Sequence, residues 1–294
     1  MRQRVLVVTD VCWTDRFASE AALALIHHAR SLGYDMFVTA FAGFDEDVVR
    51  ESKARRIRGH IVQYDADLPN VIDTMRANYR ALVDAFAEKC RGQGIECATE
   101  VVSVEPLASL LRSVEVSDGA AVPRDSEFSH AEGLTQAVPK SGERVALQLC
   151  REAAIPVLMG PAVAQQEPPS PPRKVLVGYD GSDGASRIVH SIGGLGLADG
   201  YEAEVLTIAS NERDARALAE RATAVLATHG ANAVAVPVAS TAHPADILLD
   251  RVAATRPAYL AMGAFGRRTW KERIFGSVTE KLLADCPCAL LIQR

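Results

Sequence analysis

Short apolar runs alternate along the chain with segments whose apolar residues recur every three or four positions, the signature of strands alternating with helices. The pattern is clearest in the second half. Residues 175–179 are apolar on both faces, as a central parallel strand would be. Ile188, Val189 and Ile192 predict a helix after Ser182. A strand is expected over 205–209. Leu218, Ala222, Val225 and Leu226 then predict a helix that Gly230, just beyond His229, would end in a left-handed turn. Residues 233–238 predict a strand that Pro237 confines to a short or edge position, because proline has no N–H to give a ladder. Pro244 suits the first turn of a helix carrying Ile247, Leu248 and Val252, stopped before Pro257. A strand over 259–262, a helix over 278–284 and a strand over 289–292 complete a βαβαβαβαβ order. That order predicts an open, doubly wound parallel sheet.

The first half follows the same plan with additions. Its opening strand runs through Val5, Leu6, Val7 and Val8 to Thr9 and Asp10, and Leu23, Leu25, Ile26 and Ala29 predict a helix. A strand over 36–42, a polar insertion over 45–67 and a long helix through Val71, Met75, Leu82 and Phe86 follow. Strands are expected over 95–103 and 120–122, and a long loop over 123–142. Both halves open on a β-branched run ending in an aspartate, Asp10 and Asp180. They also close alike, Pro156-Val157-Leu158-Met159 against Pro287-Cys288-Ala289-Leu290. Agreement at both ends favours duplication over chance likeness of two buried strands. Between them, Pro168, Pro169, Pro171 and Pro172 can join neither helix nor sheet interior. The expected organisation is two tandem doubly wound α/β domains, 1–163 and 174–294, with a Pro-rich linker over 164–173.

Composition narrows the partners. The 294 residues carry a net charge of −5, so no overall basic field exists to hold nucleic acid or anionic lipid. No apolar run approaches the roughly 18 residues that cross a bilayer, and Asp10 interrupts the N-terminus too early for a signal peptide. A cytoplasmic protein without nucleic-acid or membrane partners is expected. Six cysteines are too few for a disulfide scaffold. Cys286 and Cys288 fall short of the four ligands a metal usually wants and read as buried thiols, and Cys12, Cys90, Cys97 and Cys150 read as structural. The basic run Lys53-Ala54-Arg55-Arg56-Ile57-Arg58 reads as a solvated helix face, as do His27 and His28; His130 and Glu132 fall in the long loop.

The candidate chemistry lies in the second half. Ligands of an open parallel sheet sit at the carboxyl ends of its strands, near the reversal of strand order. Met262-Gly263-Ala264-Phe265-Gly266-Arg267 stands at such an end, and Gly276-Ser277-Val278-Thr279 opens a helix. Glycines let a backbone approach a ligand closely, and amides of the loop and helix start can converge on phosphate oxygens. The plain alternative is a turning loop followed by a helix capped through Ser277 and Glu280. Asp180, after Tyr179, could hold ribose hydroxyls or cap the next helix. No Walker-type phosphate loop and no Gly-x-Gly-x2-Gly fingerprint occurs.

Gly263-x2-Gly266-x9-Gly276-Ser277, together with the run 175–182 and His243-Pro244-Ala245-Asp246-Ile247-Leu248, resembles the ATP-binding motif and flanking elements of the universal stress protein family. The resemblance spans most of 174–294 and only the terminal strands and helices of the first half. It implies a Rossmann-like, tandem protein binding ATP, ADP or AMP, with or without Mg2+. It also implies a ribose beside Asp180 and adenine beside Ala209 or Ser210. Gly263, Gly266, Arg267, Gly276, Ser277, Val278 and Thr279 would lie about the phosphates, with Tyr179, Met262 and Phe265 as further binding residues, Phe265 at a position often polar in the family. It implies, too, that strands 157–159 and 289–292 meet about a pseudo-twofold axis within one chain, and it allows a homodimer. The first half lacks Gly-x2-Gly after Val122, Pro123 removes an amide, Asp125 and Glu127 would repel phosphate, and Ser141-Gly142 keeps only a trace of the helix start. That half is expected not to bind ATP. A stress-response regulator that binds ATP is the leading expectation, because phosphate donors occur without an evident base. A slow ATPase or nucleotidyl-transfer enzyme using Asp180 and Arg267, and a nucleotide-free dimerisation scaffold, are the alternatives.

Overall fold

The computed structural model describes residues 2–10, 15–57, 60–64, 66–128, 144–161, 174–264 and 276–294. The first half contains β1 (Arg2–Val8), α1 (Asp15–Ser31), β2 (Asp35–Gly43), α2 (Glu46–Ser52), β3 (Ala54–Ile57), β4 (His60–Tyr64) and α3 (Leu68–Gly92). It continues through β5 (Glu96–Val102), α4 (Pro106–Glu115), β6 (Gly119–Val122), α5 (Val145–Glu152) and β7 (Val157–Met159). The second half contains β8 (Lys174–Gly178), α6 (Asp183–Gly194), β9 (Glu202–Ala209), α7 (Glu212–Thr228) and β10 (Asn232–Ala239). It ends with α8 (Pro244–Thr255), β11 (Tyr259–Gly263), α9 (Ser277–Asp285) and β12 (Ala289–Gln293).

Ten of these strands form one sheet, in the order β10-β9-β8-β11-β12-β7-β6-β1-β2-β5. In each half the chain lays its first three sheet strands outward, then returns to place two on the other side of the first. The order therefore reverses between β8 and β11, and again between β1 and β6, the points where open sheets leave a crevice. Neighbours run parallel except at the seam, where β12 meets β7 antiparallel through Leu290–Met159, Leu291–Leu158 and Ile292–Val157. The seam covers what would otherwise be two exposed strand edges. β10 does lie at an edge, with Pro237 beside Thr207 of its one neighbour.

Alternation along the strands builds two cores. Val175 and Val177 face the layer of α1, α3, α6 and α7, while Leu176 faces that of α4, α5, α8 and α9. The left-handed end expected after α7 is present at Gly230, φ +85°. Three features were not expected. The polar insertion folds as α2 followed by the antiparallel β3–β4 hairpin, so residues 53–57 of the basic run lie on a helix cap and a strand and not on a helix face, while Arg58 lies outside the described residues. Helices α4 and α5 add cover to the first half. His28 is not merely solvated: it reaches across the halves, Nε2 2.6 Å from the Asp199 carbonyl and its ring 4.3 Å from that of Tyr201. Tyr34 supports the same contact by donating to Asp199 Oδ2 at 2.8 Å.

Glu204 of β9 is buried, at 3% exposure. Lys174 donates to its Oε1 at 2.5 Å, and the Arg251 guanidinium of α8 donates to Oε2 at 2.6–2.7 Å. Burial alone would raise the carboxyl's pKa, but hydrogen bonds from Lys174 and Arg251 outweigh it and hold it below 4.5. A depressed folded-state pKa contributes stability that is present above the unfolded value and lost as pH falls through the folded one. Glu204→Gln is therefore expected to cost about 2 kcal/mol at pH 7 and much less in acid. Urea unfolding at both pH values checks this, and a cost that does not shrink in acid would contradict it.

Candidate functional site

β8 ends at Gly178, and Tyr179 prolongs its ladder by donating its N–H to the Leu206 carbonyl at 3.0 Å. The next turn is built by its own sequence. Asp180 Oδ1 accepts from the Ser182 N–H at 2.9 Å, and Gly181 takes φ +75°, which a side chain would resist. Ser182, not Asp180, caps α6 by accepting from the Ala185 N–H at 3.2 Å. The exposed Asp180 carboxylate thus turns Oδ2, which no described residue bonds, toward the crevice.

At the end of β11, Gly263 is a glycine for packing reasons. A Cβ there would stand 2.4 Å from the Ala185 nitrogen, so the start of α6 could not approach. Ala264 donates its N–H to Gln293 at 2.8 Å and accepts from the Thr279 hydroxyl at 3.0 Å. That bond occupies the Thr279 hydroxyl, which leaves Thr279 its backbone N–H to offer a ligand. The first turn of α9 is otherwise open. Gly276 caps it with no side chain, and Gly276 O takes its first helical bond from Glu280 N, so the amides of Ser277, Val278 and Thr279 have no intrahelical acceptor. Ser277 is the first helical residue and not the cap, so the expected Ser277–Glu280 capping box does not form. Its hydroxyl instead lies 3.0 Å from His243 Nε2.

These elements enclose a cleft of about 540 Å³ at the β8–β11 reversal. Tyr179, Asp180, Met262, Gly263, Gly276, Ser277, Val278 and Thr279, all singled out from sequence, line it together. Ala209 and Ser210 are not among the lining residues; Leu206 and Ile208 represent β9 there. Pro244 and Leu248 of α8 add an apolar wall. Sequence reasoning had assigned Leu206, Ile208 and Leu248 to strand and helix cores, and their alternation alone could not show that they also face a crevice. Phe265, Gly266 and Arg267 lie outside the described residues, as do Ser141, Gly142 and the linker.

The corresponding place in the first half is filled. Thr9 donates to the Phe41 carbonyl at 2.8 Å as Tyr179 does to Leu206, so Asp10 follows β1 as Asp180 follows β8. Asp10 is 1% exposed, and it accepts from the Tyr79 hydroxyl at 3.2 Å and the Ser126 hydroxyl at 2.6 Å. Phe128 packs at 6.0 Å from Phe41 and against Gly43. Cys286 and Cys288 are buried at the start of β12, their sulfurs 3.5 Å apart. Among the described residues no group of three or more His, Cys, Asp or Glu side chains is placed to hold a metal. No described helix is long and apolar enough to cross a membrane.

Comparison with known proteins gives the family context. No curated protein matches the chain. A universal stress protein from Archaeoglobus fulgidus DSM 4304 shares its fold with a TM-score of 0.67 and 15% identity, over 99% of this chain and 96% of that one. A functionally unknown protein from Pseudomonas aeruginosa PAO1 does so with a TM-score of 0.50 and 15% identity, over 99% and 92%. At these identities the likeness is one of fold. Residues 172–294, which include every described residue lining the cleft, match the Universal stress protein family.

Proposed function

We propose that the protein binds an adenine nucleotide, ATP above all, in the cleft at the carboxyl ends of β8, β9 and β11, and regulates a stress response through the bound state. Leu206, Ile208, Leu248 and Met262 supply the apolar walls an adenine ring needs. The Asp180 carboxylate accepts from ribose hydroxyls. The open amides of 277–279 and the Ser277 hydroxyl take phosphate oxygens, aided by the positive end of the α9 dipole. A Mg2+ ion would come with the phosphates, with Asp180 as the one acid lining the cleft among the described residues. In this reading 1–163 and 174–294 are two domains joined by a linker over 164–173. The first does not bind nucleotide and serves as the partner of the second along the β7–β12 seam.

One contrast carries the reading. Asp180 is exposed at a cleft lined by Ser277, Val278 and Thr279, whose amides have no acceptor among the described residues, whereas Asp10 is sealed beneath Tyr79 and Ser126. The family match over 172–294 supports the same half as the binder. Asp180→Ala is expected to weaken ATP and adenosine alike, by about tenfold, since it removes a charged acceptor from the sugar. Calorimetric titration of both ligands checks this. Unchanged affinity for both would remove Asp180 from the site.

A further inference from the structure

His243 immediately precedes α8, and its Nε2 lies 3.0 Å from Ser277 Oγ at the head of α9. Both side chains are exposed. Ser277 and Pro244 line the cleft, so the imidazole stands on its rim, beside the head of α9. That is the end at which phosphates, not adenine, would lie. The one charged side chain among the described lining residues is Asp180, which would repel a polyphosphate. The nearby Lys281 ammonium is held by the Asp246 carboxylate. Among the described residues no carboxylate is hydrogen-bonded to the His243 imidazole, and the Ser277 hydroxyl is that ring's one hydrogen-bond partner. It is therefore the described side chain best placed to turn from a neutral hydroxyl toward an anion at the head of α9.

Resting on the adenine-nucleotide reading above, we infer that His243 senses phosphate number. Its imidazole binds the terminal phosphates of ADP and ATP beside Ser277 and makes no contact with adenosine. A hydrogen bond to a charged oxygen is roughly twice as strong as one between neutral groups, so the exchange of Ser277 for phosphate favours the longer nucleotides. The residue is a specificity determinant: it sets how strongly a triphosphate is preferred over a nucleoside.

The substitution His243→Ala is well suited to a test. The side chain is exposed and makes no capping bond to α8, so its loss leaves the helix start as it was. Wild type, H243A and H243Q are titrated calorimetrically with adenosine, AMP, ADP and ATP, after their melting temperatures have been shown to agree. H243A is expected to weaken ADP and ATP by about tenfold and to leave adenosine within about twofold. H243Q, which keeps a neutral N–H donor, is expected to fall between wild type and H243A. Equal losses for all four ligands, or ATP affinity unchanged in H243A, would overturn the inference while leaving the nucleotide site standing. Wild type binding none of the four would instead remove the parent reading, and this inference with it.

Discussion

Arg124→Ala is expected to lower unfolding stability by about 4 kcal/mol, the largest effect of any single substitution considered. Arg124 follows β6, only 5% exposed, and its guanidinium reaches across the seam. Nη1 donates to the carbonyls of Leu282 at 3.2 Å and Leu283 at 2.7 Å, and Nη2 to those of Cys286 at 3.3 Å and Cys288 at 3.0 Å. Nε donates to Gly160 beyond β7. Three of these carbonyls belong to the last turn of α9 or its cap, at the negative end of its dipole; that of Leu282 also accepts from the Cys286 N–H at 3.0 Å, whereas those of Leu283 and Cys286 are groups a helix leaves without internal partners. Alanine would strand them in a buried place, where each unmade bond costs about 1–3 kcal/mol, less whatever water recovers by filling the gap. For a chain of this size the melting temperature should fall by about 10 °C. Lysine would restore the charge without the planar fork and should recover less than half. A melting temperature for R124A within about 2 °C of wild type would show that the seam holds without this contact.

Gly276→Leu is expected to abolish most nucleotide binding while leaving the fold intact. Gly276 has φ −67° and ψ 154°, a conformation open to any residue, and a Cβ added there meets no atom of the described residues within 4 Å. The added side chain would nonetheless stand at the cap of α9, beside the three amides that would receive phosphate. Blocking them removes both the hydrogen bonds and the approach to the helix dipole, and a loss of about hundredfold, roughly 2.7 kcal/mol, is expected. Gly263 cannot serve this purpose, because its Cβ would strike the backbone of α6 at 2.4 Å and damage the fold first. Calorimetry paired with thermal melts separates the two effects. ATP bound as tightly by folded G276L as by wild type would contradict the proposed phosphate position.

Periodicity was enough to find the five strands and four helices of the second half, because their apolar residues keep a strand or helix spacing and several of them stop at a glycine or just before a proline. It was less informative in the first half. The insertion is polar, so the β3–β4 hairpin left no apolar alternation to read. The helix α4 was overlooked although Pro106, Leu107, Leu110, Leu111 and Val114 fall at helical spacing. The cleft was legible where backbone chemistry dictates residue type, at Asp180, Gly263 and 276–279, though the need for Gly263 proved to be helix packing. Its apolar wall was not, since Leu206 and Leu248 look like any core residue until the sheet is assembled. Nor did the sequence mark Arg124, and His243 entered only as part of the run flanking the motif, with no role of its own. Each acts through a partner more than 30 positions away, Ser277 for His243 and the end of α9 for Arg124.

The most direct test is equilibrium dialysis of labelled ATP against wild type and Gly276→Leu at matched protein concentration. One nucleotide retained per wild-type chain, and almost none by the variant, is the predicted result. Two equivalent nucleotides per chain, or one retained equally by both proteins, would contradict the assignment of binding to the second half's cleft.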